Sequence, residues 1–361
     1  MAGCEFTHMG TVTTDAGQGI ERFRLRAGAC AMEVIDAGCA ITRLSVPDRS
    51  GAQHNVVLGY ADLREYLGAR REYFGAIVGR VANRIAHGQF DLAGRRHSLA
   101  RNDGPHHLHG GRIGFDRRTW GVVEAAADEA TARIVFERRS DDGEEGYPGT
   151  LDVRVSYTLA APGELRLEYH ATTTSTTLVN LTNHTYFNLG GADDGGDVLR
   201  HELQIEADAF CPVDAGLIPT GELRPVQGTP FEFRRSAPIG DRLGAAHGQL
   251  EHAGGYDHCF VLRPATPAGT ELRPACVLDE PRSGRRLRVW TDRPGMQFYS
   301  GNFLDGTAVG PGGVRYRRHA GLCLETQAFP DAPHHPAFPS IVLEPGQQYR
   351  AVTVWRFEVL P

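Results

Sequence analysis

The stretch Leu151-Asp152-Val153-Arg154-Val155-Ser156-Tyr157-Thr158-Leu159 alternates apolar and polar residues at every step. A period of two sets the apolar side chains on one face of an extended strand and the polar ones on the other. Leu165, Leu167 and Tyr169 alternate with Arg166, Glu168 and His170 in the same way. Near the C-terminus Thr353, Trp355, Phe357 and Val359 are expected to share one face. Gln89 to Leu92, the dipeptide Ala93-Gly94, and Arg95 to Leu99 read as a hairpin with glycine at its turn. With 44 glycines and 21 prolines, the chain is punctuated as many short strands require. The best helical candidate, Ala61 to Leu67, is short, and no βαβ alternation occurs. The expectation is an all-β protein, a large antiparallel β-sandwich, with residues 1–361 as a single domain free of linkers and repeats. A sheet of that size offers a face wide enough for a small polar ligand.

Composition narrows the function. Hydrophobic content of 41% and charged content of 23% fit a globular protein. A net charge of -6 argues against a nucleic-acid partner and against an anionic membrane surface. Arginine pairs such as Arg70-Arg71, Arg95-Arg96 and Arg234-Arg235 are scattered and read as solvated surface. All 38 basic side chains are arginine, so no lysine amine exists for a Schiff base or a pyridoxal phosphate site. Seven dispersed cysteines, Cys4, Cys30, Cys39, Cys211, Cys259, Cys276 and Cys323, read as reduced thiols, several of them buried. Met1 to Gly19 has no apolar signal region, and the expectation is a cytoplasmic protein, monomeric or homodimeric.

Several segments carry polar chemistry on otherwise apolar ground. Asn180-Leu181-Thr182-Asn183-His184-Thr185-Tyr186-Phe187-Asn188-Leu189 mixes hydrogen-bonding groups with aromatic and aliphatic ones, which suits a half-buried platform. Asp257 enters an apolar strand, where an unpaired charge costs several kcal/mol. Glu325 stands inside Leu322-Cys323-Leu324-Glu325-Thr326-Gln327, with Leu322 and Leu324 on the opposite parity. An acid so placed is either paired or functional. His107 and His109, two residues apart, would share a strand face and could begin a cupin-type metal site.

These blocks, in this order, resemble the aldose 1-epimerase (galactose mutarotase) family. The matching segments are Asn83-Arg84-Ile85, Leu108-His109-Gly110-Gly111, the motif around His184, Tyr256-Asp257, Pro294 to Phe303, and Leu322 to Asp331. The resemblance runs from about Gly79 to the C-terminus and is loose over Met1 to Asn55. It implies the galactose mutarotase-like supersandwich and interconversion of the α and β anomers of free hexoses such as galactose and glucose. It implies His184 as general acid and Glu325 as general base. Asn83, Arg84, His109, Tyr186, Asp257 and Gln297 would hold the sugar. The partner would be a small-molecule aldose, with no cofactor and no metal. No role is assigned to His106, His107, His334 or His335, and His258 is expected to face away from the sugar. The mutual charge of His184 and Glu325 is expected to hold the imidazole protonated and the carboxyl ionised. Competing readings are a hexose-6-phosphate 1-epimerase, which needs a cationic phosphate clamp, and a non-catalytic sugar-binding module, which has no need of a buried acid and base. A glycoside hydrolase using Asp257 and Glu325 as paired carboxylates is a further one.

Overall fold

The computed structural model describes residues 3–68, 72–264 and 272–360. In it the Leu151–Ala160 strand lies third in a nine-stranded antiparallel sheet. The spatial order is Gly121–Ala127, Thr131–Ser140, Leu151–Ala160, Glu164–Thr173, Tyr349–Val359, Arg285–Thr291, Arg273–Asp279, Glu202–Ile205 and Ala237–Pro238. The alternation does its expected work, since Leu151, Val153, Val155, Tyr157 and Leu159 are buried while Asp152 and Arg154 are exposed. Thr353, Trp355 and Phe357 are buried together, but Val359 is exposed where the strand runs past the core.

A second antiparallel sheet has six strands, ordered Tyr186–Phe187, Leu322–Gln327, Gly295–Tyr299, Asp257–Leu262, Ala207–Cys211 and Arg224–Pro225. Its inward face supplies Leu322, Leu324, Met296, Phe298 and Phe260 to one core, which they share with Tyr157, Leu167, Leu287 and Trp355 of the larger sheet. Phe187 meets Trp355 edge-on at 4.9 Å across this interface. Thr326 and Thr353 join their hydroxyls across it at 2.5 Å. Five N-terminal strands, from Glu5–Thr13 to Gln53–Asn55, form a third sheet whose Phe23, Leu25, Met32 and Leu44 extend the same core.

Local expectations hold with some corrections. The Gln89–Leu92 and Arg95–Ser98 strands pair through Ala93 and Gly94, both at positive φ, as a two-residue hairpin turn requires. The helical candidate is a 3₁₀ turn, Leu63–Leu67, started by Asp62, whose carboxylate accepts from the Arg64 backbone N–H at 3.0 Å. Among the described residues the α-helix is Gly248–Ala253. Six of the seven cysteines are buried, and all are free thiols. Arg95 and Arg96 are solvent-exposed, Arg234 pairs with Glu232, and Arg70-Arg71 lie outside the described residues. Two other arginines, Arg80 and Arg285, are buried struts. Arg80 donates to the carbonyls of Ser140, Asp141 and Pro148. Arg285 donates to the Leu189 carbonyl at 2.8 Å. No described helix is long and apolar enough to cross a membrane.

Candidate active site

The face of the six-stranded sheet turned away from the core is laid out by its register. Cys323 lies opposite Tyr186 and Tyr299, and Tyr299 lies opposite Asp257. Two residues further along, Glu325 lies opposite Gln297, and Gln297 opposite Cys259. Because side chains alternate, these residues form two adjacent rows on one surface.

His184 sits between two short strands, Thr182–Asn183 and Tyr186–Phe187. Its backbone N–H donates to the Ala76 carbonyl at 2.9 Å, and its own carbonyl accepts from Gly75 N–H at 3.0 Å. Gly75 adopts a φ of 64° and lies so close to the Ile41 carbonyl that a Cβ would overlap it. All ten residues of the Asn180–Leu189 motif are buried, so the platform is interior rather than half-exposed. Its three asparagines turn out to be struts. Asn180 Oδ1 accepts from Ala328 N–H, Asn183 Nδ2 donates to the Gly75 carbonyl, and Asn188 Nδ2 donates to the carbonyls of Gly196 and Ala320. Only His184 and Tyr186 of the motif reach the cavity.

That cavity encloses about 360 Å³. Asn83, Arg84, His109, His184, Tyr186, Asp257 and Glu325 are on its wall, together with Glu72, Tyr73, Leu108, Tyr299, Phe303, Leu304 and Asp305. His184 Nε2 faces Glu325 Oε1 at 3.7 Å, and both side chains are buried. The other ring nitrogen, Nδ1, lies 3.6 Å from Cys323 Sγ. Glu325 Oε2 has no hydrogen-bond partner. Gln297 stands behind the wall rather than on it. Its Nε2 donates to Asp257 Oδ1 at 2.7 Å, and its Oε1 is unpartnered. Arg84 Nε donates to Asp103 Oδ2 at 2.8 Å, while its NH1 lies 4.0 Å from Asp257 Oδ2. Asn83 and His109, with φ of 63° and 50°, lock together: Asn83 N–H donates to His109 Nδ1 at 3.2 Å, and His109 N–H to the Asn83 carbonyl at 3.0 Å.

Burial rather than mutual charge governs the ionisation of this group. It lowers His184 to about 4 and raises Glu325 well above the usual carboxyl value. It also raises Asp257, against the opposing pull of Arg84 and Gln297, and pushes His109 well below an ordinary imidazole. The expectation of an imidazolium facing a carboxylate is therefore corrected: burial opposes both charges. At 3.7 Å the attraction does not offset two lost hydration shells, and burial favours the neutral form of each partner. A neutral imidazole and a carboxylic acid still hold one transferable proton between them, the same number as the charged pair.

The remaining histidines are held elsewhere. His107 Nδ1 donates to the Ala100 carbonyl at 2.7 Å, and its Nε2 meets the Tyr147 hydroxyl at 2.7 Å. Both nitrogens are thus engaged, and the left-handed backbone at His109 breaks the strand alternation, so the two do not converge as a cupin-type pair. His258 is wholly buried, with Nε2 3.2 Å from Gln249 Oε1. His106 Nδ1 accepts from His87 N–H, His334 binds Asp331 at 2.6 Å, and His335 donates to the Pro219 carbonyl. Among the described residues His184, Cys323 and Glu325 bring ligand atoms within 4.8 Å of one another. Burial raises the Cys323 thiol well above its usual pKa.

The aromatic wall escaped the sequence reading. Tyr73 lies 4.7 Å from the His109 ring and 5.5 Å from that of His184, and Tyr299 stacks with Phe303 at 5.9 Å. Tyr299 was within reach of parity, being two residues from Gln297. Phe303 stands 62% exposed at the rim.

Comparison with known proteins places the chain among its relatives. The family model described as aldose 1-epimerase matches residues 21–356. A galactose mutarotase from Sus scrofa is 47% identical over 97% of this chain and 97% of its own. An aldose 1-epimerase from Escherichia coli (strain K12) is 36% identical over 94% of this chain and 96% of its own. Among solved structures, a galactose 1-epimerase from Lactobacillus acidophilus NCFM superimposes with a TM-score of 0.85 at 28% identity, covering 99% of both chains. An aldose epimerase homologue from C. elegans gives 0.84 at 32% identity, covering 93% of this chain and 97% of that one.

Proposed function

The chain belongs to the aldose 1-epimerase family and is an isomerase of the mutarotase type, and on that premise we propose that His184 and Glu325 open and close the ring of a free hexose such as galactose or glucose. The observation that carries this assignment is their approach to 3.7 Å on the wall of a hexose-sized cavity, with Glu325 Oε2 lacking any partner.

Glu325 takes the proton from the C1 hydroxyl as His184 delivers one to the ring oxygen. The C1–O5 bond breaks, and C1 becomes an aldehyde. Rotation about C1–C2 presents the other carbonyl face, and the same two transfers in reverse close the ring. One proton shared by the pair is what each half-reaction needs. Sugar hydroxyls donating to the Glu325 carboxyl stabilise its ionised form and so move that proton to His184 on binding. Each positioned transfer contributes on the order of 10²–10⁴-fold. Asp257 accepts from sugar hydroxyls, Arg84 and His109 donate to them, and Gln297 orients Asp257. A non-catalytic sugar-binding module would have no use for the buried pair. Polarimetry of freshly dissolved α-D-glucose and α-D-galactose tests the reading. Acceleration by the wild type that is lost in His184→Ala supports it, and no acceleration of either sugar rejects it.

A further inference from the structure

The His184 ring sits among other rings. Tyr73 lies 5.5 Å away at 35°, Tyr186 lies 5.1 Å away at 37°, and His109 meets it edge-on at 5.2 Å. These contacts restrict the plane of the imidazole, but they do not distinguish its two nitrogens. Which nitrogen carries hydrogen is set by the hydrogen bond that the other one makes. Nε2 faces Glu325, so the deciding bond is the one at Nδ1. There Cys323 Sγ stands at 3.6 Å, within hydrogen-bond reach for sulfur. The main-chain carbonyl of His184 also accepts from the ring, and of the two nitrogens Nδ1 is the one near enough along the side chain to give it a hydrogen. A carbonyl can only accept, which sets the direction: Nδ1 donates. Burial keeps the Cys323 sulfur in its neutral thiol form, a weak acceptor with lone pairs and no charge.

Strand parity brings the sulfur to that place. Cys323 and Glu325 are two residues apart on Leu322–Gln327 and so share a face, with Cys323 opposite both Tyr186 and Tyr299. Cys323 is fully buried and is not on the cavity wall, so it reaches the sugar through His184 and not directly. We infer that Cys323 is a positioning residue: its sulfur accepts from His184 Nδ1–H and so leaves Nε2 as the nitrogen that gains and loses the mobile proton in front of Glu325. One strand then carries the base and, two residues away, the group that aims the acid. Nδ1 keeps its hydrogen through ring opening and closure, while Nε2 takes the proton from Glu325 and delivers it to the ring oxygen. A weak acceptor suits the task. A carboxylate in its place would stabilise the imidazolium and hold back the proton that must be given up. This inference rests on the reading of His184 as the acid.

The test uses the full-length wild type, Cys323→Ala and Cys323→Ser, each labelled with ¹⁵N at histidine. The spectrum of His184→Ala identifies which signals belong to His184. At neutral pH, well above the value of about 4 for His184, the ring is neutral and carries one hydrogen. In the wild type that hydrogen should be on Nδ1, with Nε2 giving the shift of an unprotonated nitrogen. Cys323→Ala should move a measurable share of it to Nε2 and lower kcat for glucose and galactose roughly 3–10-fold, the size of one lost hydrogen bond, with KM changed less than about twofold. Cys323→Ser, which keeps a lone pair at the end of a shorter bond, should recover part of both. Hydrogen on Nε2 in the wild type overturns the inference, and that result needs no variant to fold. Wild-type kcat in Cys323→Ala overturns it as well. So does a fall in kcat with the hydrogen still wholly on Nδ1, which would assign Cys323 to packing alone. A wild type that accelerates neither sugar would instead reject the reading of His184 as the acid, and the positioning role with it, whatever the spectrum shows.

Discussion

His184 Nε2 stands 3.7 Å from Glu325 Oε1, and neither atom has another protein partner. Replacing Glu325 by glutamine keeps the shape and removes the proposed base. Glu325→Gln should lower kcat by roughly 10²–10⁴-fold with a much smaller change in KM, as expected for an interaction used in proton transfer. Polarimetric progress curves at several sugar concentrations separate the two parameters.

The pH profile should have widely spaced limbs. A second proton enters the pair only as His184 is protonated, at about pH 4, so kcat/KM should fall on the acid side there. The shared proton is lost only as Glu325 ionises, well above the usual carboxyl range, so the alkaline fall should come later than for an exposed glutamate. A single acid limb near pH 6.5, the unperturbed imidazole value, would contradict the burial described for His184.

The same burial sets a stability trade. A carboxyl whose pKa is raised on folding contributes stability at low pH and loses it as pH rises through the folded value. Glu325→Gln removes that loss. Its melting temperature should exceed that of the wild type by about 2 °C or more at pH 8, and the gain should shrink towards pH 4. Thermal melts across the pH range measure it. His184 runs in the opposite sense: its neutral form contributes stability above about pH 6.5, which is lost as pH falls through about 4.

Asp257 is oriented by Gln297 at 2.7 Å, with Arg84 4.0 Å away. Asp257→Asn would set an amide N–H against one of these donors and remove a charged acceptor. An increase in KM of roughly 10–100-fold with a lesser change in kcat is expected, from hydrogen bonds to a charged group worth about 1.5–3 kcal/mol. Initial rates against sugar concentration give both numbers.

Asp331 acts at a distance from the cavity. Its backbone N–H donates to the Arg84 carbonyl at 3.0 Å, and its Oδ1 accepts from Ala86 N–H at 2.9 Å while binding His334 at 2.6 Å. Asp331→Ala leaves the Ala86 N–H buried without a partner. It should cost about 1–3 kcal/mol in urea unfolding and raise KM through looser placement of Arg84.

What could be read from the sequence was whatever depends on short-range periodicity. The alternation over Leu151–Leu159 gave the strand, and the opposite parity of Glu325 and its leucines gave the functional face. Strand order could not be read, because Tyr349–Val359 pairs with Glu164–Thr173 across about half of the chain. The His184 motif was legible as important but not in its division of labour. Three asparagines hydrogen-bonding to backbone look the same in one dimension as three ligands. Tyr73 lies outside any periodic segment, so nothing marked it. The charge state of His184 and Glu325 was misjudged because proximity can be guessed from a motif, whereas desolvation depends on everything packed around it.

The interlock of Asn83 and His109 fixes a polarity. A backbone N–H can only donate, so the His109 Nδ1 that receives Asn83 N–H carries no proton. Burial keeps the ring neutral, which leaves its single hydrogen on Nε2. A sugar oxygen meeting His109 must therefore offer a lone pair and send its own hydrogen onward. Asp257, an acceptor on the same wall, can take one from the next hydroxyl. The direction in which hydrogen bonds run around the occupied site is set by one main-chain amide that never touches the sugar.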